Sequence, residues 1–376
     1  MLILADQNIP FAKQAFTHLG EVKTFVGREL SAKDVAQADV LLVRSVTKVN
    51  DSLLAGSKVK FIASATIGTD HVDLDNLQQQ GISFANAPGS NATSAAEYVL
   101  AALLEVASQQ KLVLDKLQVG IVGYGNVGSR VANLFEALGL QCQIYDPPRQ
   151  QHFADRDYCD WQTICTCELV TAHVPLTHEG DYPTYRMFDA TFFRGLKPGA
   201  VFINTARGEA VDEAALLQRL ESSALHLVLD VWQNEPRINP QLVRQTLIST
   251  PHIAGYAYDG KLRGTEMIYQ AACRYFSVKP QWSMQAELNE ANTPLSVTQH
   301  QDLTQLLLPL VRQAYSITED SDRLRMILNM DATQAAAHFD ELRKHYPKRR
   351  EFSHYTVDVS QLPVQQQRII SRLGFE

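Results

Sequence analysis

The 376-residue chain has few cysteines, no long apolar run and no excess of positive charge, and each shortage removes a class of protein. Its five cysteines, Cys142, Cys159, Cys165, Cys167 and Cys273, form no paired framework. Cys165-Thr166-Cys167 is one residue short of the CxxC hook of redox and zinc sites. The thiols are read as incidental groups of a reducing compartment, and no metal is expected. No segment approaches the roughly 20 apolar residues that span a bilayer, and Met1 to Asp6 lacks the basic and long apolar parts of a secretion signal, so a cytoplasmic protein without membrane partners is expected. A formal charge of -7 argues against nonspecific binding to nucleic acid or anionic membrane. An anionic ligand would need a local basic patch.

What is present is an alternation of short apolar runs with helix-length segments. Met1-Ala5, Val22-Val26, Val40-Val43, Phe61-Ser64 and Ile82-Ala85 read as strands of a small parallel α/β unit. Asn91 opens a long helix, with Ser94 and Glu97 at capping-box spacing and apolar residues continuing to Leu114. A second series runs from Val119 through Ile144, Leu169-Ala172, Val201-Ile203, Leu227-Val231 and Leu247-Ile248. These strands alternate little, as expected where helices cover both faces of a parallel sheet. The helical pattern Asp259 to Phe276 has no strand of its own and is expected to return to the first unit. After Lys279 the character changes to helices at Leu303-Tyr315, Thr333-His345 and Val364-Leu373 and a strand near His354-Val359. The expected division is therefore 1–93 with 257–280, then 94–256, then a third α+β module at 281–376.

One strand carries a nucleotide signature. Leu117 to Val122 runs into Gly123-Tyr124-Gly125-Asn126-Val127-Gly128 and then a helix through Leu138. In such a turn the first glycine permits the bend, the second lets backbone approach a pyrophosphate, and the third lets helix and strand pack closely. The helix N-terminus adds unpaired N–H groups and partial positive charge. Eighteen residues after Gly128, the next strand ends in Asp146, placed to accept hydrogen bonds from a ribose and to repel a 2′-phosphate.

Three further strand ends carry one functional side chain each: Arg207 in Asn204-Thr205-Ala206-Arg207-Gly208, Glu235 in Asp230 to Pro236, and His252 in Pro251-His252-Ile253-Ala254-Gly255. Ligands of open α/β sheets lie beyond the C-terminal strand ends. An arginine can hold a carboxylate, a histidine can move a proton, and a glutamate can tune that histidine.

With Asn86-Ala87-Pro88-Gly89, Asn91, the string Val43 to Val49 and the string Thr66 to Asp73, residues 1–280 resemble the NAD-dependent D-2-hydroxyacid dehydrogenase family. The resemblance implies an α/β protein with a Rossmann NAD-binding domain, a flavodoxin-like substrate domain and a C-terminal α+β dimerisation domain. It implies NAD as cofactor, held by Gly123, Gly125, Asn126, Val127, Gly128, Asp146, Val174, Ala206, Arg207, Asp230 and Gly255. Arg207, Glu235 and His252 would be the catalytic set, and Ser45, Thr66 and Tyr256 would bind substrate, although the two hydroxyls could equally cap local backbone. The loop Pro175 to Tyr185 is longer than the family's usual loop, so no contacts are carried over to it.

The C-terminal module points to a homodimeric branch acting on a small phosphorylated 2-hydroxy acid. A 3-phosphoglycerate dehydrogenase would share the same three residues, and an NAD-sensing regulatory protein would share the scaffold. Arg44 and Lys48 are near candidates for phosphate cations. The run Arg343 to Arg350 is read first as a solvated basic face, with the alternative that Arg349 reaches a neighbouring subunit's cleft. Asp146 predicts kcat/KM for NAD well above that for NADP; comparable values for the two would contradict the assignment.

Overall fold

The structure, a computed structural model, describes residues 1–153, 156–222, 224–288 and 290–376. The chain divides into two compact units, Met1–Asn91 with Ala257–Ala291, and Ala92–Tyr256 with Asn292–Glu376.

The first unit is built on five parallel strands: β1 (Leu2–Asp6), β2 (Glu21–Phe25), β3 (Val40–Val43), β4 (Phe61–Ser64) and β5 (Ser83–Ala85). Their order, β2-β1-β3-β4-β5, is the flavodoxin-like one. Every residue of β3 and β4 is buried, which is why these segments show no polar alternation. The helix Tyr258–Tyr275 inserts Ile268, Tyr269, Ala272 and Cys273 into the same core as Ile3, Ala5, Val40, Leu42 and Phe61. A segment far along the chain thus completes the core begun by the first strand.

The second unit carries six parallel strands: β6 (Gln118–Val122), β7 (Gln141–Tyr145), β8 (Leu169–Ala172), β9 (Val201–Asn204), β10 (His226–Leu229) and β11 (Ile248–Ser249), in the order β11-β10-β9-β8-β6-β7. Tyr158 adds one parallel bridge to Ile144, so a strand beyond β7 is reduced to a single residue. The chain leaves β6 towards β7 and returns on the other side to β8, and this reversal opens a crevice at the C-terminal ends of β6 and β8.

Residues 292–376 do not form a core of their own. The parallel pair β12 (Thr293–Leu295) and β13 (Tyr355–Val357) accompanies helices Leu303–Ala314, Ile317–Arg325, Ala332–Lys344 and Val364–Arg372. Leu306, Leu307, Leu310, Val311, Phe352 and Ile370 share one apolar cluster with Tyr98, Val99, Leu103 and Val106 of the helix Ala92–Gln110 and with Val119 and Ile121 of β6. The expected C-terminal module therefore packs on the second unit, because the long helix is buried around most of its circumference and needs a second cover.

Two sequence expectations are corrected by this packing. Ser94 and Glu97 are no capping box; both lie inside the helix and are buried. Ser94 Oγ donates to Glu351 Oε1 at 2.8 Å, and Glu97 Oε1 accepts the Phe352 N–H at 2.8 Å. Two helical turns further on, the Arg312 guanidinium grips Glu105 with two bonds of 2.7 and 2.6 Å. The run 343–350 is likewise no solvated face. Lys344, His345 and Lys348 are exposed, but Arg349 and Arg350 are buried. Arg349 donates to the Ala254 and Ser94 carbonyls and lies 4.3 Å from the Tyr315 ring centre, so it is committed within its own chain and does not extend to a neighbour.

Candidate active site

The nucleotide turn is built from backbone that side chains would obstruct. Gly123 sits at φ 90°, and a Cβ there would lie 2.8 Å from the His173 carbonyl oxygen. A Cβ on Gly128 would lie 1.9 Å from the Gly123 carbonyl oxygen, so the first turn of the helix Asn126–Ala137 can rest on the strand end only without one. Gly125 differs: a Cβ there would meet nothing within 4 Å, and Gly125 and Asn126 are exposed. Free space above an exposed glycine at a helix N-terminus suits a closely approaching phosphate. Val127 is half-buried and packs on the core, a role in addition to its backbone.

Beside the turn lies a cavity of about 560 Å³, lined by Gly123, Gly125, Tyr145, Asp146, His173 and Val174 and closed by Asp181, Tyr182 and Pro183. Asp146 accepts the Tyr124 N–H at 2.7 Å through one oxygen and the Arg149 N–H at 2.9 Å through the other, which fixes the carboxylate at the strand end. The long loop is ordered by two threonines: Thr184 Oγ1 donates to the Pro175 carbonyl at 2.5 Å, and the Thr184 N–H bonds the Thr177 carbonyl at 3.0 Å. Burial pushes the His173 imidazole down to about 3, so it is neutral in the cavity wall, between the Thr171 and Thr205 hydroxyls at 3.0 and 3.2 Å.

At the ends of β9, β10 and β11 the proposed reactive groups converge in part. His252 Nδ1 lies 2.8 Å from Glu235 Oε2, while Glu235 Oε1 accepts the Trp232 N–H at 3.0 Å. An ionised carboxylate only accepts, so Nδ1 carries the proton and Nε2 is left as the base. Burial alone would raise the Glu235 carboxyl, but the His252 imidazole, then Arg343 and the Trp232 N–H, hold it below its ordinary value. Arg207 joins this pair through its neighbour. A Cβ on Gly208 would fall 2.0 Å from the Trp232 carbonyl carbon, so the Arg207 loop lies directly on the backbone that presents Glu235. Asn204 braces that loop by accepting the Ala206 N–H at 2.9 Å and donating to the Arg207 carbonyl at 3.0 Å.

Asp230, 1% exposed, organises the histidine loop. Its carboxylate accepts Thr250 Oγ1 at 2.6 Å, the Ile253 N–H at 2.7 Å and the Ala254 N–H at 2.9 Å, and its carbonyl accepts the His252 N–H at 2.7 Å. The Tyr98 hydroxyl stands 2.6 Å from Thr250 Oγ1 and must donate, because Thr250 already donates to Asp230. His252 itself has φ 57°.

With this geometry in view, residues 96–254 match the family model of the D-isomer specific 2-hydroxyacid dehydrogenase NAD binding domain, and residues 288–374 match a domain of unknown function. The chain is 44% identical to the erythronate-4-phosphate dehydrogenase of Marinobacter nauticus, over 96% of this chain and 95% of that one. It is 41% identical to that of Psychromonas ingrahamii, over 100% and 96%. The chain belongs to the erythronate-4-phosphate dehydrogenase family. Among solved structures, the cofactor (NAD+)-bound 3-phosphoglycerate dehydrogenase of Entamoeba histolytica superposes with a TM-score of 0.63 at 25% identity, over 75% of this chain and 98% of that one. The Aquifex aeolicus D-lactate dehydrogenase complexed with NAD and lactic acid, at 22% identity and a TM-score of 0.61 over 73% and 95%, shares the fold.

The remaining residues singled out from sequence fall in both units. Val174 is buried in the cavity wall, Ala206 is buried behind Arg207, and Gly255 lies in the turn closed by Tyr256 N–H to the Ile253 carbonyl at 2.9 Å. Tyr256 accepts Arg343 Nε at 3.2 Å. In the first unit Ser45 is exposed after β3, and the Thr66 hydroxyl lies in a local chain with Ser64 Oγ at 2.7 Å, the Gly68 carbonyl at 3.1 Å and, through Ser64, His71 Nε2 at 2.9 Å. Sequence reasoning missed His173, Thr250 and Tyr98, and read Arg343 only as part of a basic run. Thr250 and His173 follow strands ahead of the Pro251 and Pro175 strings and were findable there; Tyr98 carries no local signal.

The glycines give a paired prediction. Gly125→Ala leaves Tm unchanged and weakens NADH binding roughly tenfold, the loss of one close backbone contact, whereas Gly128→Ala lowers Tm sharply. Thermal melts with fluorescence titration of NADH check both; equal Tm losses would contradict the assignment of Gly125 to the phosphates.

Proposed function

We propose that the chain oxidises 4-phospho-D-erythronate at C2 to 3-hydroxy-2-oxo-4-phosphooxybutanoate with NAD, a step in making pyridoxine phosphate. The observation that carries this reading is the His252–Glu235 pair at the mouth of a sheet bearing the nucleotide turn, in a chain over 40% identical end to end to enzymes of that name. NAD, when bound, supplies the acceptor for the hydride that leaves C2.

His252 Nε2 takes the C2 hydroxyl proton as the C2–H bond breaks and the carbonyl forms. Glu235 holds the imidazole in the tautomer that leaves Nε2 free and stabilises the imidazolium. Arg207 pairs with the substrate carboxylate, supported by its place at the end of β9 on the Trp232 backbone. Gly123, Gly125, Asn126, Val127 and Gly128 take the pyrophosphate, Asp146 the adenosine ribose, Val174 the adenosine, and Ala206, Arg207 and Gly255 the nicotinamide end. For Asp230, expected at the carboxamide, the three bonds to its own loop support a positioning role first. Ser45, Thr66 and Tyr256 provide hydroxyls for substrate. Five free thiols support a cytoplasmic setting, and among the described residues no helix is long and apolar enough to cross a membrane.

The chain is further proposed to form a homodimer through its C-terminal region, supported by apolar side chains left open there, Met326 at 52% and Val364 at 60% exposure. Light scattering of the purified chain decides this: a monomer at micromolar concentration would refute it.

A spectrophotometric NADH assay with 4-phosphoerythronate, 3-phosphoglycerate and D-lactate tests the substrate, which should rank in that order. His252→Ala is expected to lower kcat by about 10²–10⁴-fold with NADH affinity retained. Near-normal turnover would remove His252 from the mechanism.

A further inference from the structure

Arg343 comes from the helix Ala332–Lys344, within the stretch matched only by a domain of unknown function, yet it reaches the tyrosine that follows the histidine loop. Its Nε donates to the Tyr256 hydroxyl at 3.2 Å, and its guanidinium carbon stands 5.8 Å from the Tyr256 ring centre and 5.9 Å from that of Phe339. Tyr256 in turn meets Tyr346 edge-on at 5.7 Å. Six residues along, Arg349 donates to the Ala254 carbonyl, so two cations of this segment touch the stretch 254–256. We propose that Arg343 is a positioning residue for the Glu235–His252 pair, fixing Tyr256 at the end of the histidine loop and bringing a cation to that side of the site. The proposal rests on the reaction proposed above.

Facing Glu235 are His252, Arg343 and the Trp232 N–H. Facing Arg343 are Tyr256, Glu235 and Asp340, and together they raise the guanidinium although burial works against it. At the start of the helix Glu213–Ser222, Glu213 accepts the Gln233 N–H at 3.0 Å and is itself raised by burial and by Glu209. Arg343 thus supplies positive charge opposite Glu235 and Asp340. Its sign has a definite consequence. A fixed cation disfavours adding a proton to Glu235, so removing it lets that carboxyl hold a proton to higher pH.

The test uses the full-length chain with Arg343→Gln and Arg343→Lys. With 4-phosphoerythronate and NAD, Arg343→Gln should lower kcat about tenfold and move the acid limb of the kcat/KM profile upward by roughly half a pH unit. KM should rise no more than a few-fold, through the loosened Tyr256, and Arg343→Lys should restore the limb. Carbon-13 glutamate spectra of the free protein, with Glu235→Gln to assign the signal, should show the Glu235 titration moving upward in Arg343→Gln without any substrate. A rise in KM alone, with both titrations unmoved, would make Arg343 a substrate cation and overturn the proposal. A fall in Tm and activity with an unshifted Glu235 signal would overturn it as well. Failure of the parent protein to form NADH would refute the reaction and leave the Glu235 titration to decide on Arg343.

Discussion

The arrangement depends on one buried carboxylate. Asp230 ends a fully parallel sheet and receives a hydroxyl and two backbone N–H groups from the segment that carries His252. His252 is held at φ 57°, a left-handed conformation that costs about 1–3 kcal/mol in a residue with a side chain. Hydrogen bonds to a charged acceptor contribute about 1.5–3 kcal/mol each, so three of them outweigh the strain even after part is lost to burying the charge. The geometry of the His252 loop is therefore imposed by Asp230 from within the protein. Glu235 can then act on an imidazole whose backbone is already fixed, and the Trp232 N–H that orients Glu235 comes from the same strand end as Asp230.

The nucleotide side follows the same logic of prepared backbone. Gly123 and Gly128 are dictated by contacts within the protein, whereas Gly125 is dictated by nothing in it. A position kept small against empty space is best explained by a ligand. His173 complements this, since a neutral ring lines the neighbouring cavity without adding charge beside the glycine turn.

Much of this was legible in the sequence, for a physical reason. Strand ends in a parallel sheet are local events, so Arg207, Glu235, His252 and Asp146 announced themselves by following apolar runs, and β3, β4 and β8 could be bounded to the residue. The return of the helix Tyr258–Tyr275 to the first unit was legible too, but side-chain partners set by distant packing were not. Ser94 and Glu97 had the spacing of a cap but bond residues more than 250 positions away. Arg349 and Arg350 sat in a run that composition assigns to solvent, and no local pattern marks the Tyr315 face or the Ala254 carbonyl that received Arg349. The helix Ile317–Arg325 escaped notice because it is strongly charged, its apolar contribution being confined to Ile317 and Leu324.

That distant packing explains why the C-terminal segment is charged where it meets the Rossmann unit. An apolar cover would protect the helix Ala92–Gln110 as well and avoid the desolvation of Glu97, Glu105, Asp320, Arg349 and Glu351. Buried pairs of this kind add little net stability compared with apolar replacements. They do fix one register, because any slip strands a charge. Arg349 can satisfy the Ser94 and Ala254 carbonyls and face Tyr315 in only one placement of its segment, and that placement also brings Arg343 to Tyr256. Charge in this interface is thus better understood as setting where the histidine loop lies than as holding the two pieces together.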